Sequence, residues 1–275
     1  MPHPVIDFHI HIPMPGAWYP DQVDLARELN HDILDERHNF ANAAYLVNYL
    51  AEQGVDYAVI MAEESVQVTG LVSTEFVIEV CRAAKGPLFA FVGLEPLPSP
   101  DAKERLELLA RKPWVKGLKL LPSYQHFSPS DASMYPVYET AQRRGLLVTF
   151  HTGSSVFRGT AEELANPLLL EPVARDFPKL NLLLAHSGRK HWYREAEMMA
   201  QRYPNVFLEI SGLPPKHLTR YFPRLRDLAG KVVFGSDLPM VPSIRANIQA
   251  IRGVFGEDAS RRVLWENGAS LLGLV

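Results

Sequence analysis

The order of strands and helices along the chain constrains the fold more than any single motif does. Eight short runs rich in apolar and β-branched residues alternate with longer stretches that have the spacing of amphipathic helices. Parallel strands need crossover connections of about a dozen residues or more, usually a helix, so this order predicts a parallel α/β sheet. The predicted strands are residues 4–9, 57–61, 88–92, 115–120, 146–151, 181–186, 206–210 and 231–235.

Eight strand and helix units in 275 residues predict one (β/α)8 TIM-barrel domain over residues 1–275. An open doubly wound sheet usually has fewer strands and a Gly-rich nucleotide-binding turn, and the sequence has neither G-x-G-x-x-G nor a P-loop. Residues 14–40 contain polar residues, prolines and glycines, so we interpret them as an insertion after strand one and a candidate lid.

Helix boundary signals support the same order of elements. Ser99 and Pro100 predict the start of the helix that contains residues 103–109. Gly54 and Pro204 predict the ends of two other helices, because glycine adopts the left-handed conformation of a helix end and proline cannot continue a helix.

Composition narrows the choice of partners and of compartment. The net charge is −3 with mixed signs along the chain, so we expect a small-molecule partner and no binding to nucleic acid or to a membrane. The first residues lack the pattern of a signal peptide, which favours a cytoplasmic protein. The single cysteine, Cys81, excludes an intrachain disulfide, so a metal would need His, Asp or Glu ligands.

Two histidines at the end of the first predicted strand are candidate metal ligands. Side chains alternate along a strand, so His9 and His11 should share one face with Asp7 and point into the barrel mouth. The alternate apolar residues, Ile6 to Ile12, should then pack against the outer helices. A solvated strand end is the alternative interpretation of an isolated His-x-His.

Three further groups end other predicted strands. His151 ends the fifth strand, His186 ends the sixth, and Asp237 follows the eighth. Each has an ordinary alternative role, since a lone histidine is often a hydrogen-bonded core residue and an aspartate often caps the next helix. The carboxyl ends of barrel strands meet on one face, where TIM-barrel enzymes place their active sites, so the joint pattern favours one metal site.

Five short motifs lie at or near the ends of predicted strands one, four, five, six and eight, namely Asp7-x-His9-x-His11, Gly117-Leu118-Lys119-Leu120, Phe150-His151-Thr152-Gly153, Ala185-His186-Ser187-Gly188 and Gly235-Ser236-Asp237. These motifs resemble those of the amidohydrolase superfamily, in particular its amidohydrolase-2 branch. The resemblance extends from residue 4 to the C-terminal residues 264–273. That branch includes hydrolases and nonoxidative decarboxylases of the aminocarboxymuconate semialdehyde decarboxylase type.

The resemblance implies specific roles for these residues. His9, His11, His151 and Asp237 would bind one divalent ion, most simply Zn²⁺, and His186 would stand beside the metal-bound water as an acid, base or polarising group. Asp237 would also accept the proton of that water. Some superfamily members carry a carboxylated lysine that bridges two metals, but the branch resembled here is mononuclear. The histidine common after Lys-Leu in the branch is replaced by Leu121, which also weakens a second metal site.

These roles predict a metal-dependent hydrolase of a small cyclic or carboxylated ester, lactone or amide, acting through a metal-activated water. A nonoxidative decarboxylase is the alternative, because the family performs both reactions with nearly the same ligands. A barrel that binds a small ligand around a structural metal is the non-enzymatic alternative. Related barrels often form dimers, so a homodimer is an open expectation.

Residues in the loops after the strands are candidates for substrate binding. Aromatic rings with cationic groups suit a planar or cyclic anion. Glu63, Glu64 and Glu95 follow two other strands and are expected at the surface or behind the ligands. The substrate-binding candidates are Trp18, Tyr19, Lys119, Tyr124, Arg158, Arg189 and His191.

Overall fold

Eight parallel strands form a closed barrel in the computed structural model, which describes residues 3–95 and 97–275. The last barrel strand meets the first through Phe8 N, which donates to Phe234 O at 2.9 Å, and through His11 N, which donates to Leu238 O at 2.8 Å. The predicted (β/α)8 barrel is thus confirmed. In spatial order the strands are β1 (Ile6–Ile10), β2 (Tyr57–Met61), β5 (Leu88–Val92), β6 (Val115–Leu120), β7 (Leu147–Gly153), β8 (Leu182–Arg189), β9 (Val206–Glu209) and β10 (Val232–Val233).

A small antiparallel hairpin and a set of helices accompany the barrel strands in the described part of the chain. The hairpin consists of β3 (Glu63–Ser65) and β4 (Gly70–Val72). The segment after β1 packs against it, since Leu71 N donates to Ala17 O at 3.0 Å. The helices are α1 (Pro20–Leu29), α2 (Ala43–Gln53), α3 (Thr74–Ala84), α4 (Ala102–Leu109), α5 (Pro122–Gln125), α6 (Tyr135–Arg144), α7 (Glu171–Asp176), α8 (Tyr193–Arg202), α9 (Leu218–Tyr221), α10 (Ile244–Arg261) and α11 (Asn267–Leu272).

Two of the three predicted helix boundaries agree with the structure. Helix α2 ends before Gly54, which has the left-handed φ of 88°, and α8 ends at Arg202, two residues before Pro204. Helix α4 begins later than predicted, at Ala102. Residues 99–101 form a tighter turn instead, in which Ala102 N donates to Ser99 O at 3.2 Å. Among the described helices, none is long and apolar enough to span a bilayer.

The apolar core has two layers that are separated by the sheet. The outer layer lies between strands and helices and contains, for example, Ile60 and Leu184 with Leu46 of α2. The inner layer fills the barrel with side chains such as Phe91 and Leu183, and α11 packs against it through Ala269 and Leu272. Apolar residues therefore occupy both faces of these strands, as expected for a parallel sheet that is covered on both sides.

A β-bulge changes which residues of β1 face the barrel interior. Asp7 pairs with Ala58 and Ile10 with Ile60, so β1 contains one residue more than β2 over this stretch. Ile6 and Phe8 belong to the inner apolar layer, so the prediction that they face the outer helices is wrong. The extra residue turns His9 inward as well, directly after Phe8. Ile10 and Ile12 pack in the outer layer, as predicted.

Candidate active site

The carboxyl ends of the barrel strands bring the predicted polar groups to one cavity of about 230 Å³. His11 follows β1, Lys119 lies near the end of β6, His151 and His186 lie in β7 and β8, and Asp237 follows β10. Their convergence results from the parallel arrangement of the strands, which places every carboxyl end at the same rim. The full lining is His11, Gln22, Leu25, Leu29, Glu63, Lys119, Leu121, Tyr124, His151, Ser154, Val156, Phe157, His186, Arg189, Lys190, Gly212, Asp237 and Met240.

His9 lies at the centre of the polar contacts. Its Nε2 is 3.1 Å from His11 Nε2 and 3.1 Å from the Nζ atom of Lys119. Oδ1 of Asp237 is 3.5 Å from His9 Nε2 and 3.9 Å from His11 Nε2. Two imidazole nitrogens and one carboxylate oxygen thus converge on a shared space, as the sequence predicts.

His186 and His151 border the same space. Nδ1 of His186 is 3.8 Å from Oδ2 of Asp237, and the two histidine rings lie 4.8 Å apart between centroids. One donor atom from each of His9, His186 and Asp237 lies within 4.8 Å of the other two. This group differs from the predicted ligand set, which contains His11 and His151 in place of His186. Both sets share His9 and Asp237.

Glu209 is a site residue that the sequence analysis missed. It is fully buried at the end of β9, and His9 Nδ1 donates to its Oε2 at 2.6 Å. Ser211 donates to the same carboxylate through its backbone N at 2.7 Å and its Oγ at 2.9 Å. A carboxylate within the apolar run 206–210, near the end of a predicted barrel strand, was the signal available in the sequence.

The contacts of Glu209 and Ser211 define the proton positions on two imidazoles. Because His9 Nδ1 donates to Glu209, the lone pair of a neutral His9 lies on Nε2, 3.1 Å from Lys119 Nζ. Nδ1 of His186 is 3.1 Å from the carbonyl oxygen of Ser211, which only accepts hydrogen bonds. The neutral His186 ring therefore also has its lone pair on Nε2.

A second buried carboxylate supports His11. Oε2 of Glu63 lies 3.4 Å from His11 Nδ1 and accepts a hydrogen bond of 2.9 Å from Nε2 of Gln22. Glu63 was expected either at the surface or behind the ligands. It is only 4% exposed and lies behind His11. Gln22 belongs to α1, so the segment after β1 contributes to the site.

Burial determines the protonation of the site. Desolvation lowers the pKa of His11 to about 4, and it lowers the pKa values of His9, His151 and His186 well below the usual range, with further lowering from nearby cations. These imidazoles are therefore neutral at pH 7 and can donate lone pairs. Burial also raises the pKa of Asp237, which makes this carboxylate a better proton acceptor.

Lys119 and Glu209 are two buried titratable groups of the site that attract each other electrostatically. Burial lowers the pKa of Lys119 and raises that of Glu209, while the attraction between the two groups opposes both changes. Lys119 is 1% exposed. Such a cation needs a nearby anion, and Glu209, Asp237 and Glu63 each stabilise its charged form.

Several backbone conformations at the rim are unfavourable for residues with side chains. His186, Ser187 and Asp237 have φ values of 60°, 44° and 72°. Residues held in this left-handed region cluster at functional sites, where the surrounding structure compensates for the strain. Gly212 also has a positive φ, and a Cβ there would lie 2.5 Å from Oδ2 of Asp237, so only glycine fits beside the carboxylate.

The substrate-binding candidates divide into two groups. Lys119, Tyr124 and Arg189 line the cavity. The other four lie outside the lining. Trp18 is buried and bridges to Gly70, Tyr19 donates to Val66 O through its hydroxyl, and the side chains of Arg158 and His191 are 96% and 59% exposed. Their loops approach the mouth, but sequence position after a strand does not determine side-chain direction.

The donor set fits a divalent metal ion. His151 Nε2 is buried and has no hydrogen-bond partner among residues 3–95 and 97–275, which is costly for a polar atom without a ligand. Neutral imidazoles and a carboxylate are typical ligands of catalytic zinc. Cys81 is buried in the outer apolar layer and takes no part in the site.

Imidazoles and a carboxylate gathered at the carboxyl end of a barrel are typical of metal-dependent TIM-barrel enzymes. The amidohydrolase family model matches residues 6–274, nearly the whole chain, and the protein belongs to the amidohydrolase-2 family. The resemblance deduced from the five motifs is thereby confirmed. No curated protein matches the chain.

Several solved structures share the whole fold. An uncharacterised TIM-barrel protein from Bordetella bronchiseptica has a TM-score of 0.81 and 20% identity, with 98% of each chain covered. The 5-carboxyvanillate decarboxylase of Sphingomonas paucimobilis has a TM-score of 0.65 and 18% identity, with 99% of each chain covered. A protein from Pseudomonas putida, provisionally described as a 2-pyrone-4,6-dicarboxylic acid hydrolase, has a TM-score of 0.66 and 17% identity, covering 99% of this chain and 98% of that one.

Proposed function

We propose that this protein is a metal-dependent hydrolase of a small carboxylated or cyclic ester, lactone or amide. The observation that carries the proposal is the position of Asp237. Its buried carboxylate lies within 4 Å of three imidazoles, namely 3.5 Å from His9, 3.9 Å from His11 and 3.8 Å from His186. A carboxylate so placed can both bind an ion and accept a proton beside it.

His9, His11, His151 and Asp237 would hold the ion, which we take to be Zn²⁺. When bound, the ion supplies Lewis acidity and lowers the pKa of a coordinated water toward about 7. The lone pair on Nε2 of His9, the unpartnered Nε2 of His151 and the low pKa values of these rings support this assignment.

Asp237 and His186 would move the protons of the reaction. Asp237 accepts the proton of the attacking water, which its raised pKa favours. His186 donates through Nδ1 to Ser211 O, so Nε2 of the neutral ring can accept a proton. It would take the remaining hydroxyl proton of the attacking water and pass it to the leaving oxygen or nitrogen as the bond between that atom and the carbonyl carbon breaks. General acid and base steps of this kind each contribute about 10²–10⁴ in rate.

Lys119 and Arg189 would bind the anionic part of the substrate. Arg189 is held by Ser154 O, which accepts hydrogen bonds from Nε at 3.2 Å and from Nη2 at 3.0 Å. This leaves Nη1 for a substrate carboxylate, and Arg189 lies in the cavity lining with Lys119. The substrate is small, because the cavity of about 230 Å³ lies below the roughly 300–1,000 Å³ of common ligand pockets.

Lys119 in the cavity lining also suits a second candidate function, nonoxidative decarboxylation of a carboxylated ring. The full-length likeness to a 5-carboxyvanillate decarboxylase adds support. Arg189 argues for hydrolysis, because a guanidinium that binds the reacting carboxylate stabilises the charge that decarboxylation must remove.

Product analysis separates these two reactions. Zinc-loaded protein should release acid from members of a panel of lactones and esters, and a chelator should abolish this release. Panels of hydroxybenzoic acids tested in parallel should yield no carbon dioxide. Carbon dioxide release without ester or lactone hydrolysis would replace the proposal with the decarboxylase, and activity unaffected by chelators would overturn both.

A further inference from the structure

The cavity has an apolar half that none of the proposed chemical steps uses. Six apolar side chains line it beside the polar groups. Two of them are exposed, Leu29 by 38% and Val156 by 63%, so protein does not cover them. The six side chains, here called the apolar wall, are Leu25, Leu29, Leu121, Val156, Phe157 and Met240.

One side of the apolar wall is a single face of α1. Gln22, Leu25 and Leu29 follow one another at spacings of three and four residues, which places them on the same side of the helix. Gln22 hydrogen-bonds to Glu63 behind His11, so the polar end of this face is anchored at the metal site. The leucines continue from that point along the cavity. The face therefore connects the reacting centre with an uncovered apolar surface.

The other side of the apolar wall is a small cluster separate from the barrel core. Leu121 and Tyr124 are buried together with Val68, and Phe157 packs against them. The ring of Tyr124 lies 4.7 Å from the ring of His151. This side thus also begins at the metal site and extends toward the mouth.

We propose that the substrate is amphipathic, with a carboxylate or carbonyl group at the polar floor and a hydrocarbon portion between α1 and Phe157. The continuity of the apolar wall with the metal site identifies its occupant as part of the same small molecule. This inference deepens the proposed function and rests on it for the occupant's identity as the substrate. The subsite itself can be measured by binding alone.

Straight-chain carboxylates test the subsite without catalysis. Dissociation constants of acetate, butyrate and hexanoate would be measured calorimetrically with the zinc-loaded protein. Each methylene that enters the apolar wall should tighten binding about fourfold. The heat capacity change on binding should become more negative with chain length.

Two variants test whether the gain in affinity per methylene arises at the α1 side of the apolar wall. Leu25→Asn and Leu29→Asn should reduce the gain per methylene, because each introduces a polar group into the α1 face. Leu108→Asn is the matched control, since Leu108 lies on α4, is 62% exposed and lies outside the cavity lining. It should retain the wild-type dependence on chain length, and thermal unfolding would establish that all three variants fold.

Three results would overturn the inference. They are the absence of carboxylate binding, equal dissociation constants for the three acids, and a gain per methylene in Leu25→Asn equal to that in Leu108→Asn. A failure of the proposed hydrolysis differs from all of these, because it would appear as carbon dioxide release or inactivity in the product assay while the chain-length dependence of binding persisted.

Discussion

The two ends of the barrel interior are built from the same strands but have opposite chemistry. Toward the amino ends, Phe8, Phe91, Leu183 and Val233 form an apolar filling that α11 adjoins. Toward the carboxyl ends, the interior holds buried titratable groups such as Lys119 and Glu209. Both ends are almost completely buried, so burial alone does not distinguish them.

This difference shows that the amino end of the barrel interior stabilises the fold and that the carboxyl end destabilises it. Apolar side chains at the amino end stabilise the folded state through burial and close packing. Buried charges and strained conformations such as that of Asp237 oppose folding unless they are paired or bind a ligand. Substitutions at the amino end should therefore change mainly the free energy of unfolding, and substitutions at the carboxyl end mainly metal binding and activity.

The largest effect is expected for two histidines at the polar end. His9→Ala should lose the metal, whereas His186→Asn should retain it and lose about 10²–10⁴ in catalytic rate. Metal analysis of the purified variants, together with single-substrate kinetics, measures both quantities. Equal metal loss in the two variants would make His186 a ligand, in agreement with its grouping with His9 and Asp237.

At the apolar end, Phe91→Ala should reduce the free energy of unfolding by about 3–5 kcal/mol, because Phe91 is fully buried in the inner layer. Metal content per folded molecule should not change. Urea denaturation measures the stability, and Leu108→Ala serves as an exposed control with an effect of about 0.5 kcal/mol or less. A fully folded Phe91→Ala protein with weakened metal binding would show that the two ends are not separable.

Asp7 is a fully buried carboxyl group in β1 and should make stability depend on pH. Burial raises its pKa from 3.8 to about 7, so between these values the folded chain keeps a proton that the unfolded chain has lost. Stability should therefore fall as pH rises through this window, by about 4 kcal/mol at most, at about 1.36 kcal/mol per pH unit.

Asp7→Asn should remove this part of the pH dependence, because an amide oxygen can still accept from His9 N and Ser236 N. Urea unfolding of the metal-free protein at pH 4.5 and pH 8 measures the change. Asp56→Asn, at a more exposed carboxylate that accepts from Val5 N, is the control and should leave the pH dependence unaltered. The same pH dependence in wild type and Asp7→Asn would contradict the prediction.

The smallest effect is expected for Glu209→Gln, which keeps the shape of the side chain but removes its charge. Metal affinity should fall about 10–100-fold, because the carboxylate that orients His9 and increases its basicity is lost. Competition with a chromogenic chelator measures the affinity. Glu197→Gln, at a carboxylate outside the cavity lining that accepts from Arg224 N, should leave the affinity unchanged. An unaltered affinity in Glu209→Gln would limit Glu209 to a structural role.

The strand positions were predictable because each strand is a short apolar run with a breaker after it. All eight predicted strands correspond to barrel strands. The cavity positions of His151, His186 and Asp237 were also predictable, because the carboxyl ends of parallel strands share one rim. The prediction that His9 points inward was right, but its reason was wrong. Simple alternation would place Phe8 on the opposite face, whereas the bulge in β1 lets both Phe8 and His9 face the interior.

The sequence by itself determined the (β/α)8 order and the strand ends that carry imidazoles and a carboxylate, because both depend on local patterns and on the geometry of parallel strands. Only the tertiary structure decided the bulge in β1, the contact of Glu209 with His9 and the division of the loop residues into lining and non-lining groups. These features depend on pairing register and on contacts between residues up to 200 positions apart, such as His9 and Glu209, which no local pattern encodes.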